Sequence, residues 1–272
     1  WEYMESPQKN DDNALEMYTL QCRNHILKPL AEKYGIDTSD EAIRAAVEQH
    51  NEVCRLIRAI GDFRKEANPR VTGYEFHILT LVSYVAPKHL IVDKLRETLE
   101  EIKTREPDAA DKYRARVVFV GSEVDDVDVI RLVEESGAYV CADRFCYGSL
   151  PGRDEILLND DEDVVKQVCR QVQGRAQCPR YWDMAKMTGR RDYVADLAKE
   201  YGADGIIYEQ MKFCDPWAYE RMIGTIVLRD EHGYPVLAVD RPYSIGSSGQ
   251  MRTRVQAFVE SIEIKKIQGG KK

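Results

Sequence analysis

The sequence predicts an α/β protein, with a helical amino-terminal segment over residues 1–114 and a doubly wound, parallel four-stranded sheet over residues 115–272. Two observations carry this. Up to about residue 110 the apolar residues recur at spacings of three and four, the period of a helix with one buried face. Beyond it, four short, continuous apolar runs alternate with helical stretches at a spacing of roughly 30 residues, as βαβ crossovers require.

Leu15, Tyr18, Leu20, Ile26, Leu27 and Leu30 mark the first helical stretch, and Ile43, Ala46, Val47, Val53, Leu56, Ile57 and Ile60 the second. Ser39 and Asp40 offer a cap for the second, and Asn68-Pro69 closes it. A third helix covers residues 75–85 and ends before Pro87; a fourth, 90–104, runs into the charged linker 105–114. At Val117-Val118-Phe119-Val120-Gly121-Ser122 the pattern becomes that of a strand buried on both faces. Helix 125–136, strand 138–142, helices 160–172 and 190–201, strand Gly205-Ile206-Ile207-Tyr208, helix 215–229, strand 235–239 and helix 250–264 follow. Only Gly269-Gly270-Lys271-Lys272 reads as a loose tail.

Composition narrows the function. Lys plus Arg number 39 against 47 Asp plus Glu, a net charge of −8, which argues against a nucleic-acid partner. With 43% hydrophobic and 32% charged residues the chain can bury a sizeable core, and no run of apolar residues is long enough to span a membrane. Its seven cysteines are odd in number, form no CxxC pair and follow no signal pattern, so the expected setting is a reducing one, the cytoplasm. A chain that opens on Trp1 rather than Met reads as a processed or truncated piece.

Ligands of a doubly wound sheet sit beyond the carboxyl ends of its strands. That rule selects loops 121–123, 143–152, 209–215 and 240–249, two of which carry a cysteine: Cys146 and Cys214. Soft thiolates there suit an iron–sulfur cluster or zinc, and Arg144 and Lys212 nearby favour the thiolate form, although a single cysteine is more often a small buried hydrophobe. Cys178, between two helices, is the weaker candidate; Cys141 and Cys169 are assigned to the core, and so are Cys22 and Cys54, on helical faces. The loop containing Ser247, Ser248, Gly249 and Gln250 opens onto a helix whose free N–H groups could hold an anion, with a flexible loop capped by Ser248 as the alternative. It is neither a Walker loop nor GxGxxG. Behind it, Arg252 and Arg254 cannot face the same way: one should reach a ligand or partner and the other solvent or an acid such as Glu260. Five histidines show no paired ligand spacing, Asp125, Asp126 and Asp128 suit a helix start, and no catalytic acid, base or nucleophile is assigned.

The order of motifs in the last 160 residues resembles the benzoyl-CoA reductase and 2-hydroxyacyl-CoA dehydratase iron–sulfur subunit family. The matching stretches are Val133-Glu134-Glu135-Ser136-Gly137-Ala138, Asp143-Arg144-Phe145-Cys146-Tyr147-Gly148, Tyr201-Gly202-Ala203-Asp204-Gly205-Ile206-Ile207, Lys212-Phe213-Cys214-Asp215 and the run from Gly249-Gln250-Met251-Arg252 to Phe258-Val259-Glu260. In the helical part, residues 51–65 and Thr72-Gly73-Tyr74-Glu75 also fall in place. The resemblance implies a [4Fe-4S] cluster held by cysteines between two Rossmann-like domains, of which residues 115–272 would be one. It implies a second family subunit, an ATP-hydrolysing iron–sulfur activator that supplies electrons, and an acyl-CoA substrate. Cys214 matches the family's carboxy-terminal ligand position, and Cys146 is expected in the same cavity. Family subunits carry an amino-terminal α/β domain with further cluster cysteines, so the chain is expected to be the carboxy-terminal part of such a subunit. The runs Phe145-Cys146-Tyr147-Gly148 and Arg252-Thr253-Arg254-Val255-Gln256-Ala257-Phe258 look closer to the benzoyl-CoA reductase branch, an oxidoreductase. The dehydratase branch, a lyase, is a near equal, and a double-cubane reductase of small molecules is a third. The rival outside these is a non-catalytic scaffolding or nucleotide-binding subunit in which Cys214 is only a packed thiol.

Overall fold

The computed structural model describes residues 3–107, 112–175, 177–181, 184–243 and 248–269. The helical segment starts at α1 (Asp12–Gln21), whose cap Asp11 accepts the Ala14 N–H at 2.9 Å. A π-helical stretch, Cys22–Leu27, joins it without a break to α2 (Lys28–Tyr34), which stops at Gly35, φ +64°. Ser39 caps α3 (Asp40–Asp62), as the sequence predicts, and a 3₁₀ turn, Phe63–Lys65, ends it before Asn68-Pro69. Thr72 and Glu75 form a reciprocal capping box at the start of α4 (Gly73–Val85), and α5 (Lys88–Thr104) follows Pro87. Ile57 and Ile60 of α3, Phe76 of α4 and Leu95 and Ile102 of α5 close one apolar core.

The sheet comprises β1 (Ala115–Gly121), β2 (Ala138–Phe145), β3 (Gly205–Met211) and β4 (Val236–Arg241), all parallel, in the order β2-β1-β3-β4. Between them run α6 (Val127–Glu135), α7 (Val164–Arg175), α8 (Met184–Glu200) and α9 (Asp215–Asp230), and α10 (Ser248–Gly269) comes last. On one face, Val129, Ile130 and Val133 of α6 pack with Val255, Phe258 and Val259 of α10. On the other, Val194, Ala195 and Ala198 of α8 pack with Trp217 and Leu228 of α9. The sheet is therefore doubly wound.

Two strands run further than their apolar stretches. Asp143, Arg144 and Phe145, read from the sequence as loop, pair with Phe119, Val120 and Gly121. The charges are tolerated because each has a partner: Asp143 the Arg64 guanidinium at 3.1 Å, Arg144 the Ser149 carbonyl at 2.6 Å. Likewise β3 continues through Glu209 to Met211, opposite β4. The β1/β2 register shifts after Val117↔Val140, so that Val118 meets Ala142 and Cys141 is the extra residue.

The helical layer is bolted to the sheet by polar groups that the fold buries. Asn51 exchanges two hydrogen bonds with Ile156, at 2.9 and 2.7 Å, and His77 Nε2 bonds the Val124 carbonyl at 2.9 Å. The Glu134 carboxylate accepts the N–H groups of Gly73 at 2.8 Å and Tyr74 at 3.1 Å, holding the amino end of α4 on α6. The approach is so close that a Cβ on Gly73 would lie 2.7 Å from the Val140 carbonyl. Burial raises the Glu134 carboxyl from 4.5 to about 7 against those donated hydrogen bonds. The stability supplied by its protonated form is complete below about 4.5 and is lost as the pH rises through about 7. Urea midpoints taken near pH 5 and near pH 7.5 should fall more steeply for the native protein than for Glu134→Gln. Equal slopes would remove Glu134 from the pH response.

Candidate functional site

Three cysteines pack against one apolar cluster, on the face of the sheet covered by α8 and α9. Cys146 lies one residue past β2, and its N–H donates to the Ser122 carbonyl at 3.0 Å. Cys214 caps α9, its N–H donating to the Met211 carbonyl at 3.1 Å. Cys178 sits in the turn between α7 and α8. All three are free, half-buried and packed against the same apolar cluster, around Leu150 and Trp217. Each of Cys146 and Cys214 feels the charge of Cys178. Among the described residues no three His, Cys, Asp or Glu side chains converge at ligand spacing.

Burial and then Cys178 push the Cys146 thiol up to about 12; the Trp217 indole opposes them. The Cys214 thiol also lies above its ordinary value, burial again leading, with the Trp217 backbone N–H pulling it down. Both opposing donors belong to the first turn of α9, where helix N–H groups favour negative charge. Trp217 is 2% exposed, and its indole N–H leans on the Cys146 sulfur without forming a hydrogen bond to any acceptor. A buried donor left in that state costs free energy, and a thiolate or sulfide beside it would satisfy it. Three soft sulfur donors and an orphaned N–H fit an iron–sulfur group in kind.

Behind the thiols, a carboxylate ties three strand ends together. Glu209, fully buried, accepts the Ser122 N–H at 3.0 Å and hydroxyl at 2.9 Å, and lies 2.9 Å from Arg241 of β4. The Ser122 hydroxyl in turn accepts the Met211 N–H at 2.5 Å. Burial raises the Glu209 carboxyl to about 7 against Arg241 and Ser122. Gly121 is required here, since a Cβ would lie 2.7 Å from the Glu209 carbonyl.

Of the predicted anion-site residues, 248–250 fall among those described. Ser247 falls outside the described residues, Ser248 opens α10, and Gly249 and Gln250 are exposed. Their helix packs on the opposite face of the sheet from the cysteines. Arg252 pairs with Glu135 at 2.9 Å rather than with Glu260, and Arg254 donates to the Ala238 carbonyl at 2.6 Å. Cys141 and Cys169 are buried as expected, as is Cys54 on α3, while Cys22 on the π-helical stretch is half-buried. Asp126 caps α6 by accepting the Asp128 N–H at 3.0 Å. Cys178 joins Cys146 and Cys214 because the β2-to-β3 crossover passes the strand ends on its way to α8; in sequence its one signal is a Cys-Pro pair between two helices.

A hydrogen bond from Cys169 leads the effects that bring the Cys22 thiol down to about 7, while Cys146 stands at about 12. In protein freed of metal, iodoacetamide near pH 8 should therefore alkylate Cys22 at least about tenfold faster than Cys146. Peptide mass spectrometry over time reads this directly, and equal rates would contradict the assigned environments.

The 2-hydroxyglutaryl-CoA dehydratase D-component family matches residues 1–262. The chain is 26% identical over 230 residues to the (R)-phenyllactyl-CoA dehydratase beta subunit of Clostridium sporogenes, covering 84% of this chain and 59% of that protein. It is 23% identical over 268 residues to a benzoyl-CoA reductase subunit of Thauera aromatica, covering 96% and 67%. To the (R)-2-hydroxyglutaryl-CoA dehydratase beta subunit of Acidaminococcus fermentans it is 24% identical over 265 residues, covering 96% and 68%. The chain thus spans between 59% and 68% of the length of these relatives. Among the described residues no helix is long and apolar enough to cross a membrane. With a helical layer on a four-stranded parallel sheet, and a match that runs through both, the chain belongs to the 2-hydroxyglutaryl-CoA dehydratase D-component family.

Proposed function

We propose that this chain is the cluster-bearing part of one subunit of an enzyme that delivers low-potential electrons to an acyl-CoA thioester, with Cys146, Cys178 and Cys214 as thiolate ligands of a [4Fe-4S] cluster. One observation carries the reading: three thiols gather on one apolar wall at the carboxyl edge of the sheet, beside the buried Trp217 N–H that lacks an acceptor. A cluster bound there would supply one-electron redox chemistry at low potential. The chain's own groups do the rest. Trp217 and the first turn of α9 direct N–H groups at the sulfurs, Leu150 and Trp217 exclude water, and Glu209 fixes Ser122 and Arg241 at the strand ends. Cysteines from a partner domain or subunit would complete the ligand set.

The reductase and dehydratase branches share this electron-delivery step, and relatives from both support it. Phe145-Cys146-Tyr147-Gly148 favours the reductase branch, whereas the family's own description favours a dehydratase. An ATP-hydrolysing activator belongs to either. The relatives' names are those of subunits, and α9 offers a face for a second one: Tyr219, Met222, Ile223 and Ile226 form an exposed stripe at helical spacing.

Purified without oxygen, the protein should contain iron and acid-labile sulfide and show a cluster signal by electron paramagnetic resonance after reduction. Cys214→Ala and Cys146→Ala should each lose that signal and most of the iron, while Cys22→Ala keeps both. Unchanged iron and signal in the Cys214 and Cys146 variants would overturn the assignment.

A further inference from the structure

A second feature lies away from the thiols, where the helical layer meets the edge of β2. There α3, the segment after β2, the end of α7 and α8 enclose a cleft of about 710 Å³. Six arginines line it: Arg55, Arg58, Arg64, Arg144, Arg153 and Arg175, against five carboxylates. Every one of those carboxylates is already matched. Asp143 pairs with Arg64 at 3.1 Å, Asp154 with Arg58 at 3.5 Å and Glu155 with Arg55 at 2.5 Å. Asp62 and Glu200 both pair with Lys65, at 2.8 and 2.5 Å.

Three guanidiniums are left over. Among the described residues, Arg144, Arg153 and Arg175 make no ion pair with a carboxylate. Arg144 is 4% exposed, stacked 4.2 Å above the Tyr193 ring, with one bond to the Ser149 carbonyl and a buried Nε that has no partner. Arg153 donates to the Thr80 hydroxyl at 3.0 Å, and Arg175 to the backbone carbonyls of Asp154 and Glu155. A buried guanidinium that no carboxylate contacts directly is costly, and a backbone carbonyl and a tyrosine ring hold Arg144 in place. Six arginines and Lys65 against five carboxylates leave a surplus of two positive charges, which two phosphoryl groups would neutralise. The planar fork of arginine suits phosphoryl oxygens bidentately, and the volume suits an organic ligand rather than a bare ion.

We propose that this cleft binds an organic anion bearing two or more phosphoryl groups, with Arg144, Arg153 and Arg175 as its phosphate contacts. Such a ligand could be a nucleoside diphosphate or a nucleoside carrying phosphates at separate positions, and the chemistry is the same. The site is separate from the thiols and does not need a cluster.

Isothermal titration of the protein with inorganic pyrophosphate tests it. Saturable binding at low salt that weakens as salt rises is expected. Arg144→Gln, Arg153→Gln and Arg175→Gln should each weaken it by about tenfold or more, while Arg252→Gln and Cys214→Ser leave it unchanged. Circular dichroism checks folding, and if buried Arg144 cannot be replaced, Arg153→Gln and Arg175→Gln decide the matter. Titrations with ADP and with adenosine 3′,5′-bisphosphate separate the two sources: tighter binding of either than of pyrophosphate supports the proposal and names the ligand type. Absence of saturable pyrophosphate binding, indifference to Arg153→Gln and Arg175→Gln, or failure of both nucleotides to bind would overturn it. Loss of iron in Cys214→Ser with pyrophosphate binding intact would keep this site apart from the proposed cluster.

Discussion

One extra residue in β2 decides which way the chain's chemistry points. Side chains alternate along a strand, so a one-residue shift sends everything beyond it to the other face. Before the shift, Ala138 and Val140 face α6 and α10; after Cys141, Ala142 joins the cluster under α8 and α9 while Phe145 rejoins Val140. By the same alternation Arg144 stacks on Tyr193 of α8, and Cys146 packs beside Trp217 of α9. Without the bulge Arg144 and Cys146 would follow Val140 to the α6 face, and neither the thiol group nor the arginine cleft would exist. Cys141 itself is held by packing: it is fully buried, and its thiol donates to the Val117 carbonyl at 3.3 Å.

The helical layer then does for β2 what a further strand would do. As an edge strand β2 would present unpaired backbone to solvent, and α4 and the turn 63–65 lie along it instead. Their union turns on Arg64 and Asp143, 4% and 5% exposed, with the guanidinium 3.6 Å over the Phe76 ring. Burial works to raise the Asp143 carboxyl, but Arg64, Arg153 and the Ser149 N–H outweigh it, and the net shift is downward. Removing either partner would strand a buried charge, a loss of roughly 3–5 kcal/mol. Since Asp143 also accepts the Ser149 N–H at 2.7 Å, the same pair shapes the segment that follows Cys146 and walls the cleft.

The architecture is legible in the sequence because its signals are local. Ser39, Thr72-Gly73-Tyr74-Glu75, Asp126 and Gly35 act within a turn or two of where they stand, and the four apolar runs have the form of buried parallel strands. The strand-end rule also brings Cys146 and Cys214 to one wall, since topology alone puts the ends of β2 and β3 at the same edge. Three features are not legible. The apolar run at 138–142 has the same composition in either register, so the bulge leaves no trace. Charges at 143 and 144 read as loop because their partners, Arg64 and the Ser149 carbonyl, become neighbours only on folding. The arginine cleft draws on α3, β2, the segment after it and α7, stretches that share no pattern in sequence. The start of α10 shows the converse limit: a glycine-serine helix start can hold an anion only where its helix faces the ligand, and α10 packs on the face of the sheet away from the thiols.

Backbone conformation at Cys214 shows how the thiol geometry is held ready. Phe213 adopts φ +73°, strained for a bulky residue by on the order of 1–3 kcal/mol, and is 97% exposed, so no packing of its own offsets that strain. The constraint comes from both sides. Lys212 N–H donates to the Arg241 carbonyl at 2.8 Å, Cys214 N–H donates to the Met211 carbonyl, and Pro216 fixes the first turn of α9. Arg241 is itself held by Glu209, so the strain at Phe213 is sustained by the buried ion pair beneath the sheet edge. A loop clamped in this way sets the direction of the Cys214 sulfur before anything binds it, which is the arrangement that lowers the entropy cost of recruiting a ligand. The exposed Phe213 ring, and Tyr219, Met222, Ile223 and Ile226 along the helix that Cys214 caps, leave apolar surface open on that side of the thiol.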